Sequence, residues 1–143
     1  MSALSVVSVA DRAGFHVFAS ALRTSDYFER LEGPGPFTVF APTDAAFNAL
    51  NPSMLDRLLN RENEQRDAFL GYHFAAGRVV AAQFRGRRIR AVMQAGGDAV
   101  IEGREGLRVN AACVCKPDLI GRNGVVHGID AVLWRGKTKT AAR

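Results

Sequence analysis

Thr38 to Phe47 reads TVFAPTDAAF, and this stretch decides the fold. Together with Phe37, the residues Thr38, Val39 and Phe40 are aromatic or β-branched with no polar alternation, which is the composition of a buried strand. Pro42 ends that strand because proline has no amide hydrogen to give to a ladder. A helix is expected next. Thr43 carries the hydroxyl of an N-cap, Asp44 sets an anion at the positive helix end, and Phe47 and Leu50 lie three apart on one face.

Upstream, the pattern from Val6 to Leu31 is helical, with Phe15, Phe18, Ala19 and Leu22 recurring at i, i+3, i+4 and i+7, and Phe28 and Leu31 in a short following turn. Gly33-Pro34-Gly35-Pro36 then breaks it. Downstream, Asn51-Pro52-Ser53 restarts a helix that turns Met54, Leu55, Leu58 and Leu59 inward. The polar run from Asn60 to Asp67 leads into Phe69, Leu70, Tyr72, His73 and Phe74, with Gly77 as the expected helix stop. Beyond Gly77 the texture changes. Val79, Val80, Phe84, Ile89, Val92, Val100, Ile101, Leu107, Val109 and Val114 fall in short runs between Gly86, Gly96-Gly97, Gly103 and Gly106, which reads as short strands and tight turns. A final strand from Val125 to Trp134 follows a turn at Asn123-Gly124. Helices first and strands after, with one early strand, give an α+β class with a mostly antiparallel sheet or wedge and the helices gathered against it. No repeat and no linker divides the chain, so one domain over residues 1–136 is expected, with a basic, frayed tail over 137–143.

The chain has 143 residues, of which 48% are hydrophobic and 23% charged, the balance of a globular domain with one core. Its net charge of +5 comes almost wholly from Arg. Only Arg85, Arg87, Arg88 and Arg90 form a run, the one place where a polyanion would bind. No stretch reaches the ~18 to 20 apolar residues that cross a bilayer. The apolar patch from Leu4 to Ala10 lacks a basic segment before it and is followed by Asp11, so it is read as the first helix, not a leader. Whether the protein works inside the cell or loses a leader is left open. Cys113 and Cys115, one residue apart, are poorly placed for a structural disulfide and are read as packing on a strand face.

Three segments in sequence resemble those of the fasciclin (FAS1) domain family. Thr38 to Phe47 resembles the family's first box, Asn123 to Asp130, within NGVVHGIDAVL (Asn123 to Leu133), is similar to the second, and Tyr72-His73 matches the Tyr-His motif between them. The resemblance runs from Val6 to Trp134. It implies a wedge of two small, mostly antiparallel sheets with helices packed on one side, and a role in adhesion at a cell surface or matrix, with a protein or glycan partner. Some family members bind carotenoids, so a carrier of an apolar small molecule is the alternative role. Val126 stands where Ile is common. Gly128 stands where a β-branched residue is usual, and it is expected to loosen the last strand.

The resemblance also marks where a partner would bind: Phe69, Leu70, Tyr72 and His73, and the segment before the second box, Lys116-Pro117-Asp118-Leu119-Ile120. In that segment Lys116 replaces the usual acid, and Asp118, Leu119 and Ile120 would give a charged contact in an apolar rim. A surface patch near Tyr72 and Asp118 is therefore the expected interface. Thr43, Asp44, His127 and Asp130 are read as polar supports of the strand-to-helix turn and the closing strand, since a buried polar group without a partner costs roughly 1 to 3 kcal/mol. Asp44, His73 and His127 lack a nucleophile motif to serve, so no enzyme is expected. His16, His73 and His127 are too scattered for a metal motif, and the glycines fit no phosphate loop, so no metal or cofactor is expected. No nucleic-acid partner is indicated, because the Arg run has no interleaved stacking aromatics beyond Phe84, and a monomer is expected.

Overall fold

The structure is a computed structural model that describes residues 4–59 and 64–133. Residues 60–63 of the polar run, Trp134 and the expected tail lie outside the described residues. The expected helical run from Val6 to Leu31 is three helices: α1 (Val6–Arg12), α2 (His16–Arg23) and α3 (Phe28–Glu32). Gly14, at φ +103°, makes the break between the first two, a conformation that side chains with a Cβ rarely adopt. The Ser5 hydroxyl caps α1 by accepting from the Ser8 amide.

Strand β1 (Phe37–Pro42) leads into α4 (Asp44–Asn48), and the Thr43 hydroxyl accepts from the Ala46 amide as the N-cap, at 3.0 Å. Then come α5 (Pro52–Leu59), α6 (Glu64–Gly71), β2 (Phe74–Ala76), α7 (Ala81–Phe84), β3 (Arg88–Val92), β4 (Asp98–Glu102), β5 (Arg108–Val109), β6 (Ala112–Gly121) and β7 (Gly124–Ile129). Two expectations are corrected here. Gly77 does not stop a helix; it turns the chain at φ +100° after β2. Val79, Val80 and Phe84 do not form a strand but lead into and fill the four-residue helix α7, whose first amide, that of Ala81, is capped by the side chain of Asp118.

The seven strands run in the order β2-β1-β7-β6-β5-β4-β3. The ten-residue β6 belongs to both halves, so the two expected sheets are joined into one ladder through it. Every pairing is antiparallel except that of β1 with β7, which sets Phe37 beside Gly124 and Pro42 beside Ile129. Thus the two distant boxes are the central parallel pair. Every residue of β1 and β7 is buried, which is why their sequences run apolar without alternation.

Two apolar clusters flank this pair. Val39 and Val126 face the first, which is built with Phe18, Leu22, Leu31, Phe47, Leu70 and Phe74 from the helical side. Phe40 and Ile129 face the second, inside the curl of the sheet, with Tyr72, Phe84, Met93, Ile101 and Leu133. Gly128 does not loosen β7. A Cβ there would stand 2.2 Å from Cζ of Phe15, so the ring fills the room that a side chain would have taken.

Candidate functional site

His73 closes the turn between α6 and β2, and His127 lies mid-strand in β7; both are fully buried. Nδ1 of His73 lies 2.7 Å from the Phe69 carbonyl, and its Nε2 lies 3.0 Å from the Leu133 amide. A carbonyl only accepts and an amide only donates, so Nδ1 carries the proton and Nε2 is the acceptor. His127 has the opposite tautomer: its Nδ1 accepts from the Asp118 amide at 3.1 Å, and its Nε2 donates to the Val79 carbonyl at 2.7 Å. Each ring is neutral and fixed between two main-chain groups. Burial pushes the His73 imidazole down to about 4, outweighing the Phe69 carbonyl that favours its proton. Burial likewise lowers His127, against the Val79 carbonyl and the nearby Asp118 carboxylate.

Both rings are therefore clamps. His73 ties the end of α6 to the segment after β7, while His127 ties β7 to β6 and to the approach to α7. Phe18 and Phe69 pack against the first ring, with centroids 5.5 and 4.7 Å away. Phe40 and Phe84 pack against the second at 5.8 and 5.7 Å. Asp44 accepts from the Val17 amide at 2.9 Å and so joins α4 to α2. Asp130 accepts from the Cys113 amide at 2.8 Å across the end of β6. Among the described residues no three His, Cys, Asp or Glu side chains gather as a metal set. No described helix is long and apolar enough to cross a membrane.

The interface expected around Tyr72 needs correction. Phe69, Leu70, Tyr72 and His73 are all buried, none more than 6% exposed, so they present no patch. Helical spacing reads the same for a core stripe as for a surface stripe, and here the stripe packs inward. The Tyr72 hydroxyl donates to the Asp98 carbonyl and accepts from the Asn110 amide group, anchoring the turns before β4 and β6.

The other half of the expected interface is at the surface. Lys116 to Ile120 lies where the β6–β7 register shifts twice, so the strand bulges outward. Asp118 sits at φ +59°, a region that Asp tolerates better than most residues. Its carboxylate accepts from the Ala81 amide at 2.8 Å, while the Lys116 ammonium donates to the Ala13 carbonyl at 3.2 Å and lies 5.6 Å over the Phe15 ring. Leu119 packs inward against the core, whereas Ile120 remains 40% exposed. The ridge is braced on both flanks and offers Pro117 and Ile120 outward.

A cleft of about 430 Å³ opens between the sheet's two ends, lined by Thr38, Phe40, Val79, Ile89, Arg90 and Ile101 among others. It exceeds the ~300 Å³ that a small-molecule site needs. Of the Arg run, Arg90 lines it; Arg88 and Arg90 project from β3, 3.8 Å from Glu102 and 3.5 Å from Asp98.

Asn123 has a structural role that the sequence reading does not assign to it. Its Oδ1 accepts from the Val6 amide at 3.0 Å, and its Nδ2 donates to the Leu31 and Gly33 carbonyls at 2.6 and 2.7 Å. One buried amide thus joins α1, the end of α3 and the start of β7. In the sequence it stands as the first residue of the second box and of the Asn123-Gly124 turn, with no sign of these bonds.

Residues 13–135 match the Fasciclin domain family. Protein sll1483 of Synechocystis is 36% identical over 92% of this chain and 74% of that protein. The pig transforming growth factor-beta-induced protein ig-h3 is 34% identical over 78% of this chain and 16% of its own length. The solved FAS1 domain pair from the insect cell adhesion molecule fasciclin I superposes with a TM-score of 0.63 at 19% identity, over 87% of this chain and 46% of that one. With the two boxes paired as the central strands and the family match spanning them both, the chain belongs to the fasciclin (FAS1) domain family.

Proposed function

We propose that this chain is a non-enzymatic adhesion module that binds a protein or glycan at a cell surface, through the bulged ridge of β6. The observation that carries the reading is Ile120, 40% exposed on a strand held rigid by Asp118 and Lys116. An apolar contact set in a polar rim on a fixed backbone is how adhesion surfaces combine affinity with low ordering cost. The expected contacts are Pro117, Ile120 and the free edge of the Asp118 carboxylate, with Leu119 beneath them as support. Relatives in the family include a cell adhesion molecule, which favours this role.

The bonding of the two buried imidazoles supports the non-enzymatic part of this reading. His73 and His127 are the only buried imidazoles among the described residues, and main-chain partners occupy both nitrogens of each. A general base needs a free lone pair near its substrate. The cleft supports the alternative of an apolar-ligand carrier, which would be seen as a visible absorption band on mixing with a pigment.

Labelling the full-length native protein on intact and on permeabilised cells tests the adhesion role. Signal on intact cells is expected. A protein detected only after permeabilisation would overturn it.

A further inference from the structure

The cleft runs along two strand edges, not over one sheet face. Its lining includes consecutive residues of both end strands, Ala75 and Ala76 of β2 and Ile89 to Val92 of β3, so side chains of both orientations border it. Each of these strands pairs on one side only. They touch at one end, where the Gln94 amide donates to the Phe74 carbonyl at 2.8 Å and the Ala95 amide to the Gly71 carbonyl at 2.9 Å. Toward Ala76 and Arg88 they part, and the opening between them is the cleft.

The ladder fixes which backbone groups face that opening. Just beyond the two ends of β3, the Gly103 amide donates to the Arg87 carbonyl and the Met93 amide donates to the Gly97 carbonyl, so the residues of that parity, Ile89 and Ala91, bond to β4. The amides and carbonyls of Arg88, Arg90 and Val92 therefore point away from β4. On the same residues the side chains are exposed: Arg88 by 59%, Arg90 by 67% and Val92 by 71%. Ile89 and Ala91, between them, turn toward the apolar cluster.

We propose that this seam is a strand-docking site for an extended acidic peptide segment of a partner protein. The segment adds to β3 in antiparallel sense and bonds to the outward backbone groups of Arg88, Arg90 and Val92. Alternate side chains of the segment then fall on opposite faces. Small apolar ones enter the cleft beside Val79, Ile89 and Ile101. Carboxylates fall beside Arg88 and Arg90, which are held only loosely by Asp98 and Glu102, the latter more tightly engaged by Arg104 at 2.9 Å. A second copy is the wrong occupant, because antiparallel β3–β3 pairing would set like charges opposite each other. A small apolar molecule would leave the outward backbone groups unmet. The proposal rests on the reading of the chain as a protein-binding module, but it uses no residue of the β6 ridge, so failure at either surface is read separately.

The probe is an acetylated, amidated hexapeptide of alternating Glu and Val, titrated into the isotopically labelled full chain. Amide resonances of Arg88, Arg90 and Val92 should shift together. Their hydrogen exchange should slow roughly tenfold once the free peptide is ten times its dissociation constant, as mass action requires. The peptide with Lys in place of Glu should not bind. Arg90→Pro removes an outward amide that the β4 ladder does not use, so it should keep the melting temperature and abolish binding. No shifts at millimolar peptide would overturn the proposal. So would shifts without slowed exchange, the mark of a purely ionic or apolar contact, or undiminished binding by Arg90→Pro.

Discussion

Between pH 8 and pH 5 the stability that depends on a neutral His73 should fall by about 2 kcal/mol. An unfolded histidine titrates near 6.5, whereas burial holds His73 at about 4. Above pH 6.5 the ring is neutral in both states, so its contribution is fully present. As the pH falls toward 4, the unfolded chain takes up a proton that the folded ring refuses, and each unit of pH in that window costs about 1.4 kcal/mol. By pH 5 the unfolded ring is almost fully charged and the folded ring about one-tenth charged, and the accumulated loss is about 2 kcal/mol. Other groups titrate over the same range, so the quantity to measure is a difference. His73→Gln keeps an acceptor for the Leu133 amide and does not titrate. Urea unfolding of both proteins from pH 8 to pH 5 should show the gap between them shrinking by that amount as the pH falls. His127, lowered in the same direction, is present in both and cancels. A gap independent of pH would refute the assignment, because it would mean that the folded protein takes up a proton on His73 as readily as the unfolded chain does.

Gly128→Ala should destabilise by roughly 2 kcal/mol through its collision with Phe15. In thermal melts the double variant with Phe15→Leu should be more stable than Gly128→Ala alone, and simple additivity would sink the idea that the ring fills the glycine's space. Asn123→Ala leaves the Val6 amide and the Leu31 and Gly33 carbonyls without their partner, and should cost roughly 3 kcal/mol or more in denaturant unfolding. Asp118→Ala uncaps α7 and should cost about 1 kcal/mol, whereas Asp118→Asn keeps the oxygen and the tolerance of positive φ and should unfold close to the parent. Equal losses for the two would show that the carboxylate's charge matters more than its hydrogen bond to Ala81.

The central strands and the Thr43 cap could be read from the sequence because their physics is local or leaves a strong pattern. A strand buried on both faces has no polar alternation, and a threonine before an acidic first turn declares its helix. Elsewhere the deciding partner is far along the chain. The short helix α7 reads as a strand because its cap comes from Asp118, and nothing near Ala81 announces it. Gly128 reads as a weak point in the strand, but the Phe15 ring, distant in sequence, fills its space. Phe69, Leu70, Tyr72 and His73 show a clear stripe, but the stripe does not say which way it faces; the packing of Phe18 and Phe47 against it turns it inward. At the β6 ridge, Lys116 to Ile120 can be picked out in the sequence, while the bracing by Lys116 and Asp118 comes from contacts with Ala13 and Ala81 that only the folded chain brings together.

The most direct test of the adhesion role is attachment of beads coated with the folded full chain to living cells of the organism that produces it, counted under flow. Beads bearing the parent should be retained well above beads bearing an inert protein. Ile120→Glu, which removes the exposed apolar contact while leaving the core side of β6 untouched, should bring retention down to that background with an unchanged melting temperature. Retention of the parent no better than the inert control, or equal retention of the parent and the Ile120 variant, would contradict the account.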